Sequence, residues 1–153
     1  ITGPMLAHKA EEDAVAAVEQ MAGQKRSVDY LKVPGVVYTW PEAAVVGKTE
    51  EQLKKETIPY NKGKFPMGIN GRSLAMGEKA GFVKILADKQ TDRILGAHIV
   101  APWSSDLITE IVSVMEFGGT AEDIGMTVHA HPTLAESVKE AALAVHGRPL
   151  NTV

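Results

Sequence analysis

An α+β fold, an antiparallel sheet with helices packed on it, is the class this 153-residue sequence predicts. Three observations point there. Phe82, Val83, Ile85 and Leu86, then Ile94, Leu95, Ile99 and Val100, are two apolar, β-branched runs joined by a polar stretch at 88–93, the pattern of a hairpin. The order of elements is a helix, then strands and the hairpin, then helices, which differs from the alternation of a βαβ sheet. Neither G-x-G-x-x-G after a strand nor G-x-x-x-x-G-K-[ST] occurs, and the glycines from Gly63 to Gly71 match neither spacing, so the usual dinucleotide-binding loop is missing.

The composition sets outer bounds. A chain of this length, 44% hydrophobic, can bury one core, and one compact domain is the default. A net charge of -3 without a basic run gives no footprint for nucleic acid or an anionic membrane surface. No apolar run is long enough to span a bilayer, and no leader pattern opens the chain. With 0 cysteines, disulfides, thiolate zinc sites and a cysteine nucleophile are impossible within it. The chain starts at Ile1 and runs directly into a helix signal, which we read as a processed product or a cut-out piece.

Thr2 and Pro4 offer a cap and a first turn for a helix over 4–22, with Leu6, Ala10, Ala14, Ala17, Val18 and Met21 as its apolar stripe. A loop follows to Lys32, then a short strand from Val36 to Thr39, broken at Trp40-Pro41, and a second around Val45 and Val46. Thr49 with Gln52 predicts a capped short helix to Glu56, and Ile58 to Phe65 an exposed strand. The stretch from Met67 to Gly77 is ambiguous. After the hairpin, Ser104 or Ser105 is expected to cap a helix through Met115, whose Leu107, Ile108, Ile111 and Val112 suit the core better than a subunit contact. A short helix around Ala121 to Ile124 comes next. Leu134, Val138, Ala141, Ala142 and Val145 then mark a last helix that begins just after Pro132 and stops at Gly147 and Pro149.

The chemistry is concentrated in His129-Ala130-His131-Pro132-Thr133-Leu134-Ala135-Glu136. A histidine ahead of a helix with a carboxylate one turn in can have one ring nitrogen held by that carboxylate while the other meets a substrate, as a general acid-base requires. Thr133 and Glu136 also spell a capping box, and the competing reading has Glu136 serving only a backbone donor. His129 and His131 lie at i, i+2 and can ligate a metal together with Glu136, His98 or His146, which defines a runner-up, a small metal- or ligand-binding module. From the residues alone, the His131-Pro132 bond takes the ordinary trans form. Lys54, Lys55, Lys62 and Lys64 read as solvated surface.

This eight-residue stretch resembles the C-terminal signature of the dihydrolipoamide dehydrogenase family, within the pyridine nucleotide-disulfide oxidoreductases. Three further segments resemble that family in the same order. They are Gly3-Pro4-Met5-Leu6-Ala7-His8-Lys9-Ala10-Glu11, Val37-Tyr38-Thr39-Trp40-Pro41-Glu42 with Val46-Gly47, and Thr91-Asp92-Arg93-Ile94-Leu95-Gly96-Ala97-His98. Glutathione reductases usually carry an apolar residue at the position of His129, and mercuric reductases generally lack the histidine at 131, so the lipoamide branch fits better.

The resemblance implies the interface-domain fold of FAD- and NAD-linked disulfide reductases. Residues 1–23 are then the helix that follows the FAD-binding domain of a parent enzyme, and 24–153 the C-terminal dimerisation domain. It implies His131 as acid-base, Glu136 as its orienting partner, a cis His131-Pro132 bond, and Met5, Leu6, Ala7, His8 and Pro132 near the cofactor. It further implies a homodimer in which His131 enters the partner subunit's active site, dihydrolipoamide carried by a multienzyme complex as substrate, and a bacterial cytoplasmic or mitochondrial matrix setting. The FAD and NAD folds and the redox cysteine pair of such an enzyme are absent from this sequence, so the chain alone is expected to be inactive and to hold neither cofactor.

Overall fold

A computed structural model describes residues 2–151; residues 1, 152 and 153, which the expected domain ranges include, lie outside them. Helix α1 spans Ala7–Met21, and a 3-10 turn at Tyr30–Lys32 leads to strands β1 (Gly35–Val37) and β2 (Glu42–Gly47). Helix α2 (Glu50–Lys55), strand β3 (Tyr60–Pro66) and helix α3 (Gly71–Met76) precede the hairpin of β4 (Phe82–Asp88) and β5 (Ile94–Ala101). Helices α4 (Ser104–Glu116), α5 (Ala121–Met126) and α6 (Glu136–Val145) complete the order. The strands form one sheet in the order β1-β2-β5-β4-β3, with every neighbouring pair antiparallel. The predicted hairpin lies inside it, and the α+β class holds.

Period-two alternation decides which face is covered. Val83, Ile85 and Ala87 of β4 and Ala97, Ile99 and Ala101 of β5 point to one side, where they form a single core with Ile108 and Ile111 of α4 and Val138, Ala141, Ala142 and Val145 of α6. Ile124 of α5 joins the same core, and α5 packs on α6. The closest approach in this layer is at Gly63, where a Cβ would stand 1.9 Å from the Ala141 carbonyl oxygen and 2.6 Å from the Val145 nitrogen. Helix α6 is therefore seated on the backbone of β3 itself.

The other face carries the alternate residues, including Lys84 and His98. Helix α2 lies across part of it, closed at its start by the predicted capping box of Thr49 and Gln52. Its Glu50 accepts hydrogen bonds from Tyr60 Oη at 3.1 Å, Lys84 Nζ at 3.2 Å and Lys62 Nζ at 3.3 Å. Burial pushes the Glu50 carboxyl upward, but Lys84, Tyr60 and Lys62 outweigh it and bring its pKa down to about 2.

Several boundaries differ from the sequence expectation. Helix α1 starts at Ala7 rather than Pro4, because Gly3 takes a left-handed φ of +94° and Leu6, which has no side-chain acceptor, stands at the cap. Buried in α1 are Lys9 and Asp13, paired at 2.5 Å, with Tyr30 Oη donating to Asp13 at 3.0 Å. The ambiguous stretch resolves into a 3-10 turn at Met67–Ile69 and α3, which Asn70 caps by accepting from the Ser73 amide.

Neither serine caps α4. Trp103, at φ +54°, occupies the cap position, and the Ser104 hydroxyl donates back to the Ala101 carbonyl at 2.9 Å. The first turn is closed instead by Glu42 of β2, whose Oε2 accepts from the Ser105 amide at 2.9 Å. At the same corner Trp40 and Trp103 meet edge to face, with ring centroids 5.4 Å apart. Helix α6 begins at Glu136, later than the expected start after Pro132.

Two outcomes follow from this packing. Gly63→Ala forces backbone apart where α6 crosses β3 and is expected to cost about 1–3 kcal/mol, lowering the melting temperature by several degrees; circular dichroism melting within a degree of the parent chain would contradict it. For Glu50 the depressed pKa means its stabilisation is present above the ordinary value near 4.5 and is lost as pH falls toward 2. Glu50→Gln is therefore expected to cost roughly 2–3 kcal/mol at pH 7 and almost nothing at pH 2, as read from urea midpoints at the two pH values.

Candidate active site

The approach to α6 is built on residues that the fold already fixes. Val138, Ala141 and Ala142 anchor the helix in the core, so its first residue, Glu136, has a set position at the mouth of the turn. The Glu136 carboxylate divides its oxygens. Oε2 accepts from the Thr133 amide at 2.8 Å, and Oε1 lies 2.8 Å from His131 Nδ1. Both readings of Glu136 from the sequence hold together, backbone partner and histidine partner. The capping box itself is only half made, because the Thr133 hydroxyl donates to the Ala130 carbonyl at 2.7 Å instead of accepting from the helix.

A carboxylate at Nδ1 dictates the protonation of the ring. An ionised carboxylate only accepts, so Nδ1 carries the proton, and in the neutral imidazole Nε2 is left with its lone pair free. The His131 side chain is 77% exposed while that of Glu136 is 24% exposed, so the free nitrogen is turned toward solvent with its orienting group behind it. Burial pushes the Glu136 carboxyl upward, but the Thr133 amide and the His131 ring outweigh it and hold the group below the usual carboxylate range. It therefore stays ionised throughout the neutral range, where the His131 tautomer matters. The bond between His131 and Pro132 is cis, as the resemblance implies, and Asn70 Nδ2 donates to the Thr133 carbonyl at 3.0 Å just beyond it.

His129 and His131 do not converge. The His129 ring is turned inward, with Nε2 2.7 Å from Glu110 Oε1 and Nδ1 3.0 Å from the Thr127 carbonyl, whereas His131 faces out against Glu136. Each imidazole has its own carboxylate, and among the described residues no three histidine, aspartate or glutamate side chains are grouped to hold a metal ion. The geometry supports the acid-base arrangement over the H-x-H ligand pair.

Of the residues expected near the cofactor, Pro132 stands in the His131 loop, and the other four lie elsewhere. Met5 is fully exposed, and with Gly3, Pro4, Leu6 and Ala7 it lines a shallow, mostly apolar cleft along α1. His8 Nε2 is 2.9 Å from the Pro34 carbonyl and borders a second cleft shared with Val36, Ile108 and Val112. Neither cleft includes His131 or Glu136. Three residues that hold the His131 loop from outside it went unnoticed in the sequence: Asn70, hidden in the ambiguous stretch, Glu110 on α4 and Lys139 on α6. No local spacing signals any of them.

A family model described as the dimerisation domain of the pyridine nucleotide-disulphide oxidoreductases matches residues 33–142. The chain belongs to that family. Over 151 residues this dimerisation domain is 58% identical to a mitochondrial dihydrolipoyl dehydrogenase of Arabidopsis thaliana, covering 99% of the chain and 30% of that relative. It is also 58% identical over 151 residues to a dihydrolipoyl dehydrogenase of Cupriavidus necator, covering 99% of the chain and 32% of the relative. Among solved structures it is similar to LpdA of Mycobacterium tuberculosis, with a TM-score of 0.85 at 28% identity, covering 90% of this chain and 30% of that one. The dimerisation domain thus spans about a third of the length of the relatives it matches. No helix among its described residues is long and apolar enough to cross a membrane.

Replacing Glu136 tests the orientation directly. In Glu136→Gln the amide oxygen goes to the Thr133 N–H and the amide nitrogen faces His131, so the ring is expected to switch its proton from Nδ1 to Nε2. Nitrogen-15 shifts of the labelled imidazole report the tautomer, and an unchanged Nδ1-protonated ring would show that the carboxylate does not set it.

Proposed function

We propose that this dimerisation domain serves a dihydrolipoyl dehydrogenase and supplies the acid-base of its dithiol half-reaction, His131. The observation that carries the reading is the exposed His131 Nε2 backed by the Glu136 carboxylate at Nδ1. A dithiol with the ordinary thiol pKa is mostly protonated at neutral pH, and its thiolate is the reactive form. Nε2 takes the thiol proton, the resulting imidazolium keeps its Nδ1 proton on Glu136, and the same nitrogen returns a proton when the reaction runs back.

The exposure of the ring fits action on another surface. Neither cleft beside α1 receives His131, and the cysteines needed for a redox disulfide are not in the chain. In this reading the domain pairs with a second copy, and His131 enters an active site whose remaining parts come from the partner subunit. Residues 1–23 connect to the FAD-binding portion of the parent, and 24–153 make the pairing domain. The uncovered apolar surface around Met5, Leu6 and Ala7, with His8 at the neighbouring cleft, fits a flavin ring and the domain that carries it. When bound, FAD would take the two electrons of the dithiol by way of the disulfide and pass them to NAD. The substrate is dihydrolipoamide presented by a multienzyme complex, in a bacterial cytoplasm or a mitochondrial matrix, matching the two kinds of relative.

The test uses the complete enzyme. With this chain exchanged for the matching segment of the Cupriavidus necator relative, His131→Gln is expected to lower dihydrolipoamide oxidation by about 100-fold or more while flavin content and dimer mass stay as in the unmodified chimera. Turnover within a few-fold of that chimera would refute the acid-base role.

A further inference from the structure

The loop that carries His131 is unusual in how it is held. Between the end of α5 and the start of α6, residues 128–133 make no backbone-to-backbone hydrogen bond among the described residues. Side chains from other elements hold the segment instead. Asn70 and Glu136 fix Thr133 on the far side of His131. On the near side the anchor is His129, whose side chain is only 5% exposed although its neighbour Val128 is 92% exposed.

Both nitrogens of the His129 ring face oxygen acceptors. Nε2 lies 2.7 Å from Glu110 Oε1 on α4, and Nδ1 lies 3.0 Å from the Thr127 carbonyl, which also accepts from Lys139 Nζ of α6 at 2.8 Å. A carboxylate only accepts, so Nε2–H donates to Glu110, and this bond to a charged acceptor is the stronger of the two contacts. Glu110 projects from a helix whose Ile108 and Ile111 are buried in the core, so it is a fixed point.

Taking His131 as the acid-base, we propose that Glu110, acting through His129, is a positioning residue: the pair ties the loop to α4 and thereby brings His131 against Glu136 with Nε2 turned outward. Held at 129 and again at 133, the intervening residues have little freedom to swing the imidazole away. Without the first anchor, the loop is tethered on one side only. His131 then samples orientations in which Nδ1 leaves Glu136.

The experiment uses the full 153-residue chain labelled with nitrogen-15. In the unaltered chain the His129 Nε2–H is expected to be protected from exchange, and His131 to carry its proton on Nδ1. Glu110→Gln keeps the side-chain volume and removes the charge. It is expected to release the His129 ring, mix the His131 tautomers and lower backbone order parameters at Ala130, His131 and Thr133 below about 0.6. In the full-length chimera the same substitution is expected to reduce kcat by roughly 10- to 100-fold with KM and the flavin spectrum little changed.

A folded Glu110→Gln chain with unchanged His131 tautomer and loop order would overturn the proposal whatever the activity. If that variant fails to fold, the unaltered chain decides. A rapidly exchanging His129 Nε2–H overturns the anchor, and a protected one supports it. Should His131→Gln leave the chimera active, the acid-base reading fails, and the tautomer and order measurements still judge the positioning separately.

Discussion

The contact on which the His131 loop depends is the backbone approach of α6 to β3 at Gly63. A helix can rest this close to a strand only where no Cβ intervenes, and the missing side chain sets how deep α6 sits on the sheet. Everything at the N-terminus of α6 inherits that depth. Glu136 is the first residue of the helix, so the carboxylate that serves both Thr133 and His131 is placed by packing rather than by the loop. The core then acts as the rigid support that a preorganised site needs.

That support is asymmetric. One sheet face is sealed by α4 and α6, while the other keeps Tyr60, Lys62 and Lys84, which hold Glu50 of α2. The surface of α1 is different again, with Val18 and Met21 largely exposed although Lys9 and Asp13 on the same helix are buried. Helix α1 therefore hides an ion pair while leaving aliphatic side chains in the open beside Glu11 and Glu12.

Local patterning made most of the fold legible in the sequence. The β4–β5 hairpin, the capping box of α2 and the core stripe of α4 all announce themselves within a window of a few residues, and each is present. His131 and Glu136 were legible for the same reason, being five residues apart on either side of a helix start. What could not be read depends on tertiary partners. The cap of α4 comes from Glu42, 63 residues away, and overrides two adjacent serines. Asn70 and Glu110 reach the active loop from separate elements, so no periodicity marks them. The family resemblance, rather than spacing, anticipated the cis bond at Pro132.

The corner where β2 closes α4 has an optical consequence. The chain has two tryptophans, and both stand there, Trp40 beside β2 and Trp103 at the head of α4, with rings 5.4 Å apart at right angles. Their coupled near-ultraviolet signal therefore reports a single event, the docking of the first turn of α4 against the sheet. Intrinsic fluorescence of this protein follows that corner and is blind to the loop that bears His131.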